Sequence, residues 1–446
     1  MTTTTMERNG VKERPVTSKE RWAWYLYDFG NSAYAAVVLL AVYSAYFKGQ
    51  VVGGAEGSKL WGLAVGIAML VVAVISPVLG AIADFSGTKK RFLFFFTTMA
   101  CVFTSLLFLA REGQVLIGML FFILAEIGYR SAQVFYNSLL TEIAEPEEIG
   151  RVSGIGWAIG SAGGILALLL ILPLIVMIEG TLIVRISLII TAVYFAIFSI
   201  PIFRWLKERT EPQDLPEGET YLSLGFKRAL STMRMTRDYT EFVKFLVAFL
   251  IYNDGVIMAL NFASIIGAVL FGMEQEELII FVILVQVTNV AGAYLFGMLT
   301  EWWSVKRSLL LSILMMIGVV TWMYFAQTVT AFYIVGALAG FAMAGIQSVS
   351  RAMVAVLVPS KKSAEFYGFF AVAGRTSSFI GPTVYGWVAY RAALLFESRG
   401  LTPLLAEQSG QRVAILSIAA FLLIGFVLLL LVNQSRARAL ADDLAG

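Results

Sequence analysis

The stretch FFILAEIGYRSAQVFYN, residues 121–137, contains the side chains best suited to chemistry, because a carboxylate and a guanidinium interrupt an apolar run. Glu126 and Arg130 are four residues apart, and Gln133 and Asn137 continue the spacing, so all four side chains share one helical face. An isolated charge at the centre of a bilayer costs about 2.5–3.5 kcal/mol even on a lenient scale. The face therefore predicts an inward-pointing pathway for a solute or a proton. The alternative is an ion pair that only fixes this helix against its neighbours.

Polar side chains interrupt other apolar runs as well. The candidates in these runs are Asp28, Asn31, Asp254, Asn261, Gln347, Arg351 and Arg375. Asp254 and Asn261 are seven residues apart and share a face, as do Gln347 and Arg351 at a spacing of four. Asp28 lies near the end of its run, where it is either a binding site for a proton or a substrate ammonium group, or a polar helix cap.

The charged candidates balance, with three carboxylates against three guanidiniums, as a dry interior requires. Movement of an arginine relative to a carboxylate changes the proton affinity of that carboxylate, so the set suits a proton-coupled machine. The sequence contains no histidine, which leaves the carboxylates as the candidate proton carriers near neutral pH. Because Arg130 stands beside Glu126, the hypothesis favours Asp254 or Asp28 as the titrating group.

The composition predicts that these residues lie in a membrane. Of 446 residues, 59% are hydrophobic and 14% are charged, whereas charged residues make up about a quarter of a soluble chain. Apolar runs long enough to cross a bilayer recur about twelve times. The predicted spans are 22–47, 59–83, 91–110, 115–140, 152–178, 183–205, 241–271, 277–300, 308–327, 330–357, 366–393 and 411–433.

Several function classes are disfavoured by what the sequence lacks. Cys101 is the only cysteine, so an intrachain disulfide and a cysteine metal cluster are excluded. We find no Walker loop, no nucleophile–base pair and no metal-ligand spacing, and the sequence predicts neither an enzyme nor a cofactor. The polar first twenty residues predict no cleaved signal peptide. Basic residues concentrate on one set of loops, which is explained by membrane orientation and does not require a nucleic acid.

That charge distribution also predicts the orientation: both termini are cytoplasmic, in the cytoplasmic (inner) membrane. The longest polar segment separates two sets of six spans, giving an N-terminal bundle over 1–205, a linker over 206–240 and a C-terminal bundle over 241–446. The linker begins with the solvated sequence KERTEPQDLPEGE and continues with helical spacing. Its second part predicts either a surface helix with basic side chains towards lipid headgroups or a solvated charged helix. Those side chains are Lys227, Arg228, Arg234 and Arg237.

The two halves show an internal repeat. GAIADFSGTKKRFL, which begins at Gly80, matches GMLTEWWSVKRSLL, which begins at Gly297, at an offset of 217 residues. Matched positions at an offset of 214 include Gly160 with Gly374, and those at 225 include Gly30 with Gly255. Repeated offsets in corresponding spans predict two parallel six-helix repeats with a site between them at mid-membrane.

Family resemblances agree with this organisation. GAIADFSGTKKR resembles the signature of major-facilitator transporters between their second and third spans. WYLYDFGNSAYAAVV, FYNSLLTEIAEPEEIGRVSGIGWAIGSAGG and FYGFFAVAGRTSSFIGP look like the vacuole-effluxer-like branch, which includes fungal autophagy-related amino-acid effluxers and many bacterial proteins. The resemblance implies a bacterial member with the major-facilitator fold: an all-α membrane protein of twelve transmembrane helices in two pseudo-symmetric six-helix bundles.

The resemblance also assigns a cytoplasmic gate motif. Its residues are Gly80, Asp84, Gly87, Lys89, Lys90, Arg91 and, in the second half, Glu301. In relatives such contacts hold the cytoplasmic side closed in the outward-open state, whereas the simpler reading is that the basic residues only set membrane orientation. Gly80 and the pairs Gly62/Gly66 and Gly336/Gly340 predict close helix packing. Ser304 replaces the second glycine of the repeated motif, which predicts a weaker second latch.

These observations together predict a secondary transporter that moves a small polar or zwitterionic solute by alternating access, with proton coupling. An amino acid or a short peptide is the favoured solute, because arginine binds a carboxylate and an acid binds an ammonium group. The partners are this small molecule, the lipid bilayer and protons, without nucleic acid, and the predicted state is a monomer. The alternatives are an exporter of amphipathic molecules or lipids, and a sensor with a transporter fold that moves nothing.

Overall fold

The structure, a computed structural model, describes most of the chain. The described residues are 16–85, 87–144, 148–178, 180–209, 215, 218, 220–227, 239–357, 366, 370, 374, 378–434 and 436. The side chains of Asp84 and Glu301 lie outside this description. Several residues named above lie wholly outside it, namely Arg228, Arg234, Arg237 and Arg375.

The described part consists of long helices joined by short connections. Helices α1 to α12 are Ser18–Val52, Gly54–Phe85, Lys89–Leu106, Val115–Ser138, Ile149–Met177, Thr181–Trp205, Thr240–Phe271, Gln275–Trp302, Val305–Phe325, Val329–Leu357, Ile380–Ser398 and Pro403–Leu430. Eleven described helices are long and apolar enough to cross a bilayer. The remaining one, α11, ends five residues beyond the predicted span 366–393.

Helix α1 is the least regular of the twelve. It begins with a capping box in which the Glu20 side chain accepts the backbone N–H of Thr17 at 2.9 Å. Further along, Ala35–Ala41 and Phe47–Val52 are wound as π-helix. A π-helical turn changes which backbone carbonyls are satisfied within the helix, and such turns are frequent at functional sites. The first of these segments makes contacts with the second half of the chain.

Equivalent contacts recur in the two halves. Gly30 packs against the backbone of α6, and Gly255 packs in the same way against α12. The Asp28 carboxylate lies against α5, and the amide of Asn253, the matching residue of α7, donates to the carbonyl of Gly374 at 3.3 Å. The repeat inferred from sequence offsets therefore corresponds to a repeated packing pattern, in which α1–α6 and α7–α12 form two similar bundles.

In each bundle, side chains from the first and third helices also form hydrogen bonds with the backbone at the C-terminal end of the last helix. Glu20 at the start of α1 accepts a backbone N–H just beyond α6 at 3.2 Å, and Glu241 at the start of α7 accepts one just beyond α12 at 2.6 Å. Lys90 of α3 donates to carbonyls at the end of α6, and Lys306 of α9 donates to carbonyls at the end of α12. Cations at helix C-termini are stabilising, so these paired contacts hold the helix ends together.

We call the side on which α6 ends and α7 begins the linker face, and the opposite side the far face. At the far face the π-helical segment of α1 contacts the second bundle directly. Gln275 Nε2 donates to the Ala41 carbonyl at 2.6 Å, and Ser264 Oγ donates to the Leu40 carbonyl. Both donors belong to the C-terminal bundle, so the carbonyls of the irregular helix form part of a seal between the bundles.

Two side-chain contacts strengthen that seal. Lys48 and Glu407 form an ion pair between the end of α1 and the start of α12, and their side chains are only 8% and 11% exposed. Gln411 Nε2 donates to Ser58 Oγ at 2.6 Å, which joins α12 to α2. The far face is therefore closed by polar contacts that span both bundles.

Helices α2 and α11 are in close contact near the far face. A Cβ atom on Gly62 would lie 2.2 Å from the Pro382 carbonyl oxygen, and one on Gly66 would lie 2.1 Å from Thr383 Oγ1. A Cβ atom on Gly80, closer to the linker face, would meet nothing within 4 Å. The predicted packing of Gly62 and Gly66 is present, whereas Gly80 has no close neighbour among the described residues.

The short helix over 221–227 lies against α2. A Cβ atom on Gly225 would be 2.5 Å from the Pro77 carbonyl oxygen, and Leu224 is buried. Lys227 is exposed, as the predicted surface helix requires. The described part of the linker thus packs on the N-terminal bundle.

The glycine contacts give a matched pair of substitutions on α2. Gly62→Ala should lower the thermal unfolding temperature of the purified protein, because its methyl group overlaps a backbone oxygen and overpacking costs about 1–3 kcal/mol. Gly80→Ala should leave that temperature unchanged within about a degree, since it points into open space. Equal unfolding temperatures for both variants would contradict the packing of α2 against α11.

Candidate functional site

The candidate site forms around the ion pair predicted on α4. Arg130 Nε donates to Glu126 Oε1 at 2.7 Å; Glu126 is fully buried, and the Arg130 side chain is 22% exposed. This bond uses one guanidinium nitrogen and one carboxylate oxygen, and the second oxygen, Glu126 Oε2, is buried without a hydrogen-bond partner. Buried polar atoms nearly always have a partner in a folded protein. The pair therefore retains bonding capacity for a solute or for water.

Helix α1 supplies the opposite wall of the site. The ring of Tyr34 stacks on that of Tyr129 with centroids 4.5 Å apart, and the Arg130 guanidinium lies 5.3 Å from the Tyr129 ring centroid. The Tyr34 hydroxyl is buried without a partner. These contacts place the charged face of α4 towards α1, inside the bundle and away from lipid.

Exposure increases along this face of α4 towards the linker face. Glu126 is buried, Arg130 is partly exposed, Gln133 is half-buried and Asn137 is exposed, with its amide donating to the Gln133 carbonyl at 2.6 Å. The four residues that the sequence placed on one face therefore become more exposed towards the linker face, and their role in a pathway stays a prediction.

Asp28 of α1 lies near the same wall. A Cβ atom on Gly160 of α5 would be only 2.5 Å from Asp28 Oδ2, so the carboxylate packs directly on that glycine. Among the described residues no cation forms an ion pair with Asp28. The Tyr129 hydroxyl is close enough to interact electrostatically with Asp28, Glu126 and Arg130. Asp28 and the Glu126–Arg130 pair are thus both neighbours of Tyr129.

Asn31 is part of this arrangement. It lies one turn beyond Asp28 on α1, is 2% exposed, and its Nδ2 atom is buried without a hydrogen-bond partner. The unpartnered polar atoms of Asn31, Tyr34 and Glu126 all belong to α1 and α4.

The candidates on α7 occupy a different environment. Asp254 is 3% exposed and interacts with the backbone N–H of Gly381, in the first turn of α11. A carboxylate near a helix N-terminus is stabilised by the helix dipole, so the first turn of α11 is a favourable neighbour for Asp254. Its Oδ1 atom has no partner. The structure thus keeps Asp254 apart from the α4 pair.

Asn261 lies near the far face, and its predicted role in the pathway stays a prediction. Its side chain donates to the Ile257 carbonyl at 2.9 Å, and its own carbonyl accepts the indole N–H of Trp61 at 2.9 Å. Trp61 belongs to α2, so Asn261 contributes to the far-face seal. Asp254 and Asn261 do share a face of α7, and that face packs against α11 and α2. Periodicity predicts a shared face but not which helices the face contacts.

On α10, Gln347 is half-buried and Arg351 is exposed, both in the part of the helix nearest the linker face. Their position matches that of Gln133 and Asn137 on α4. Arg375 lies outside the described residues, so the predicted balance of three acids and three arginines stays a prediction. Within the described part, no three His, Cys, Asp or Glu side chains come together as a metal site.

The gate motif makes contacts within its own bundle. Gly87 has φ +57°, which favours glycine in the turn between α2 and α3. Lys89 is buried and its Nζ atom lies 2.6 Å from Glu142 Oε1, whereas Arg91 is exposed. Lys90 binds the end of α6, as described above. The described contacts of the basic pair thus stay within α1–α6, and the predicted role of the motif in closing the linker face stays a prediction.

Glu208, which follows α6, belongs to the same cluster. Its carboxylate accepts the backbone N–H of Lys90 at 2.5 Å. Burial raises the pKa of Glu208 above its ordinary value, although the bond from Lys90 acts in the opposite direction. Arg209 continues the cluster and donates to Glu20 at 2.9 Å. The linker face of the N-terminal bundle is thus held by a network that the motif alone did not indicate.

Sequence reasoning did not identify the tyrosines of the site. Tyr34, Tyr129 and Tyr136 were hidden among many aromatic residues, and the signal available was that Tyr129 adjoins Arg130 in sequence. The ion pair of Lys48 with Glu407 was also missed, because its partners are far apart in sequence and lie at the ends of spans.

Comparison with known proteins agrees with this architecture. A family model described as "Vacuole effluxer Atg22 like" matches residues 61–150 and 141–442, which is most of the chain. The chain belongs to this family. The resemblance carried by the three sequence stretches is thereby confirmed.

Similar proteins occur in bacteria and fungi. The chain is 29% identical over 376 residues to "Uncharacterized MFS-type transporter YxiO" of Bacillus subtilis, covering 82% of this chain and 87% of the relative. It is 26% identical over 275 residues to "Autophagy-related protein 22" of Yarrowia lipolytica, covering 53% of this chain and 45% of that relative. The match therefore spans less than half the length of the fungal protein.

Solved structures show the same fold. A bacterial homologue of the human lysosomal transporter Spinster, in an inward-facing and unoccupied conformation, superposes with a TM-score of 0.71 at 15% identity, covering 97% of this chain and 99% of that one. The nucleoside transporter NupG gives 0.65 at 14% identity, covering 92% and 99%. The protein is an integral membrane transporter of the major-facilitator type, with twelve helices in two pseudo-symmetric bundles.

Proposed function

We propose that this transporter moves a small polar or zwitterionic solute by alternating access, with an amino acid or a short peptide as the favoured class. The observation that carries the proposal is the buried Glu126–Arg130 pair on a face of α4 whose exposure rises towards the linker face. Its guanidinium keeps two nitrogens outside the ion pair, and arginine binds carboxylates with parallel hydrogen bonds. Ionisable groups at mid-membrane usually mark a transport pathway.

The contacts between the bundles support alternating access. The far face is closed by hydrogen bonds and an ion pair between α1 or α2 and the second bundle, while exposure along the charged face of α4 rises towards the linker face. We propose that the linker face is cytoplasmic, because basic residues concentrate there. In that orientation the structure is inward-facing, and the outward-facing state requires the far-face contacts to break.

Several finer statements belong to the same proposal. The bundles are taken to be 1–205 and 241–446 with the linker 206–240 between them, in the cytoplasmic membrane, with the protein acting as a monomer. Coupling to protons is supported by the Asp28 carboxylate, which has no ion-pair partner among the described residues. The family description and the names of the fungal relatives favour movement of amino acids out of a compartment.

Reconstitution into liposomes tests the proposal. We expect the purified protein to carry radiolabelled amino acids or dipeptides across the bilayer faster than protein-free liposomes, with acidification of the receiving compartment if protons are coupled. Flux should saturate with solute concentration. Binding without flux for every solute would favour the sensor, and flux of labelled lipid alone would favour the lipid exporter.

A further inference from the structure

We infer that Asp28, with the hydroxyl groups of Tyr129 and Tyr136, is a subsite for a primary ammonium group, opposite the anion site at Arg130. The inference rests on the proposed function and makes it more specific, since it assigns each end of the solute to named residues. Three observations carry it. The Asp28 carboxylate has no counter-ion among the described residues, the tyrosine rings near it are held by stacking, and Arg130 is paired with Glu126.

The carboxylate of Asp28 is held in place without a counter-ion. Gly160 leaves room for it, because any side chain there would start 2.5 Å from Oδ2. The described structure places Arg130 on Glu126 and gives Asp28 no cation. A carboxylate removed from bulk water is costly unless it is paired, so a cationic ligand that enters the site gains by pairing with it.

Aromatic stacking holds a second hydrogen-bond acceptor, the Tyr136 hydroxyl, near Asp28. Tyr136 is stacked between Trp24, at 4.5 Å, and Tyr27, at 5.0 Å, so its ring has little freedom to move. The Tyr136 hydroxyl is buried without a hydrogen-bond partner and is close enough to Asp28 to interact electrostatically. By contrast, the Tyr27 hydroxyl is bonded to Thr97 at 2.7 Å. Tyr136 thus offers an oriented hydroxyl that nothing in the described part of the chain uses.

The number of acceptors selects the type of cation. A primary ammonium group has three N–H donors, and we place it among the Asp28 carboxylate and the hydroxyl oxygens of Tyr129 and Tyr136, both of which interact electrostatically with Asp28. A quaternary ammonium group has no N–H donor and would leave these oxygens unpaired. Arg130, which also adjoins Tyr129, takes the anionic end. The site therefore favours a solute with a primary ammonium group and a carboxylate a short distance apart.

Three probes of the same shape test this assignment: leucine, leucinamide, which lacks the carboxylate, and 4-methylpentanoate, which lacks the ammonium group. Binding to the full-length purified protein is measured by calorimetry. Charge-assisted hydrogen bonds contribute about 1.5–3 kcal/mol, so Asp28→Asn should weaken leucine and leucinamide about 10- to 100-fold. Binding of 4-methylpentanoate should be unchanged in Asp28→Asn and weakened in Arg130→Gln.

Tyr136→Phe serves as a second variant, since it removes one hydroxyl and keeps the stacked ring. It should weaken leucine about 5-fold and leave 4-methylpentanoate unaffected. Glu112→Gln, an exposed acid between α3 and α4, is the matched control and should bind all three probes as the wild type does.

The outcomes separate the inference from the proposed function. If wild-type protein and Asp28→Asn bind leucine equally, the ammonium subsite is wrong and the transport proposal stands. If Asp28→Asn weakens all three probes equally, Asp28 maintains the architecture or carries a proton, and the inference is again overturned. If the wild type neither binds nor transports leucine, the favoured solute class and the inference fail together.

Discussion

Arg130→Ala should abolish solute flux in liposomes, which is the largest effect expected of any single substitution. Arg130 is the cation of the α4 pair, and its guanidinium keeps two nitrogens outside that pair. Its loss also leaves Glu126 as a buried charge without a partner, and breaking a buried pair costs about 3–5 kcal/mol. Flux is measured with labelled amino acid, and folding is checked by size-exclusion chromatography and thermal unfolding.

Arg130→Lys separates the two effects of this change. It keeps the positive charge beside Glu126 and removes the planar fork that binds a carboxylate. We expect near-normal thermal stability with flux reduced about 10- to 100-fold. Arg111→Ala, at an exposed arginine between α3 and α4, should transport normally. Transport at wild-type rate by Arg130→Ala would show that the pair is only architectural.

Lys48→Met should shift the protein strongly towards the outward-facing state. The Lys48–Glu407 pair joins the bundles at the far face and is almost fully buried, so its loss leaves Glu407 without its partner. A cost of about 3–5 kcal/mol for the closed far face changes the ratio of the two states by more than about 100-fold. Distances between spin labels on the far ends of α1 and α7 should lengthen, as measured by double electron–electron resonance.

Two control variants test whether the effect of Lys48→Met comes from the loss of the buried ion pair. Glu56→Gln removes the charge of an exposed pair with Lys59 on α2 and should leave the distances unchanged, since exposed pairs contribute about 0–1 kcal/mol. Lys48→Met combined with Glu407→Leu replaces the buried pair by apolar side chains and should restore the closed far face. Unchanged distances in Lys48→Met would mean that the hydrogen bonds alone hold the seal.

Local patterns in the sequence were sufficient for the parts of the fold that depend on local physics. Apolar length predicted the spans, and a spacing of four, three and four residues predicted that Glu126, Arg130, Gln133 and Asn137 share a face. The repeated offsets predicted equivalent positions, and Gly30 and Gly255 indeed make equivalent contacts with α6 and α12.

Features that depend on how the bundles meet were not predictable in this way. Periodicity placed Asn261 with Asp254 but did not show that its face is packed against α2. Gly80 was expected to pack closely, yet a Cβ atom there would meet nothing within 4 Å. Lys48 and Glu407 meet only because two bundles close around them, which no local pattern records.

Aromatic residues show the same limit. Tyr34 and Tyr136 stand among many rings that fill the helix interfaces, and nothing in the sequence distinguishes a buried hydroxyl without a partner from a satisfied one. Only the arrangement of α1 against α4 reveals that these hydroxyls surround the charged residues.

The central claim is that the charged face of α4 lines a watery crevice that opens at the linker face. It is tested most directly by thiol labelling of Gln133→Cys in a protein whose single cysteine has been replaced by Cys101→Ser. We predict rapid reaction with a charged, membrane-impermeant methanethiosulfonate applied from the linker face, and none for Leu120→Cys, an exposed apolar position on the same helix. Reaction of Gln133→Cys with lipid-soluble maleimides only would contradict the claim.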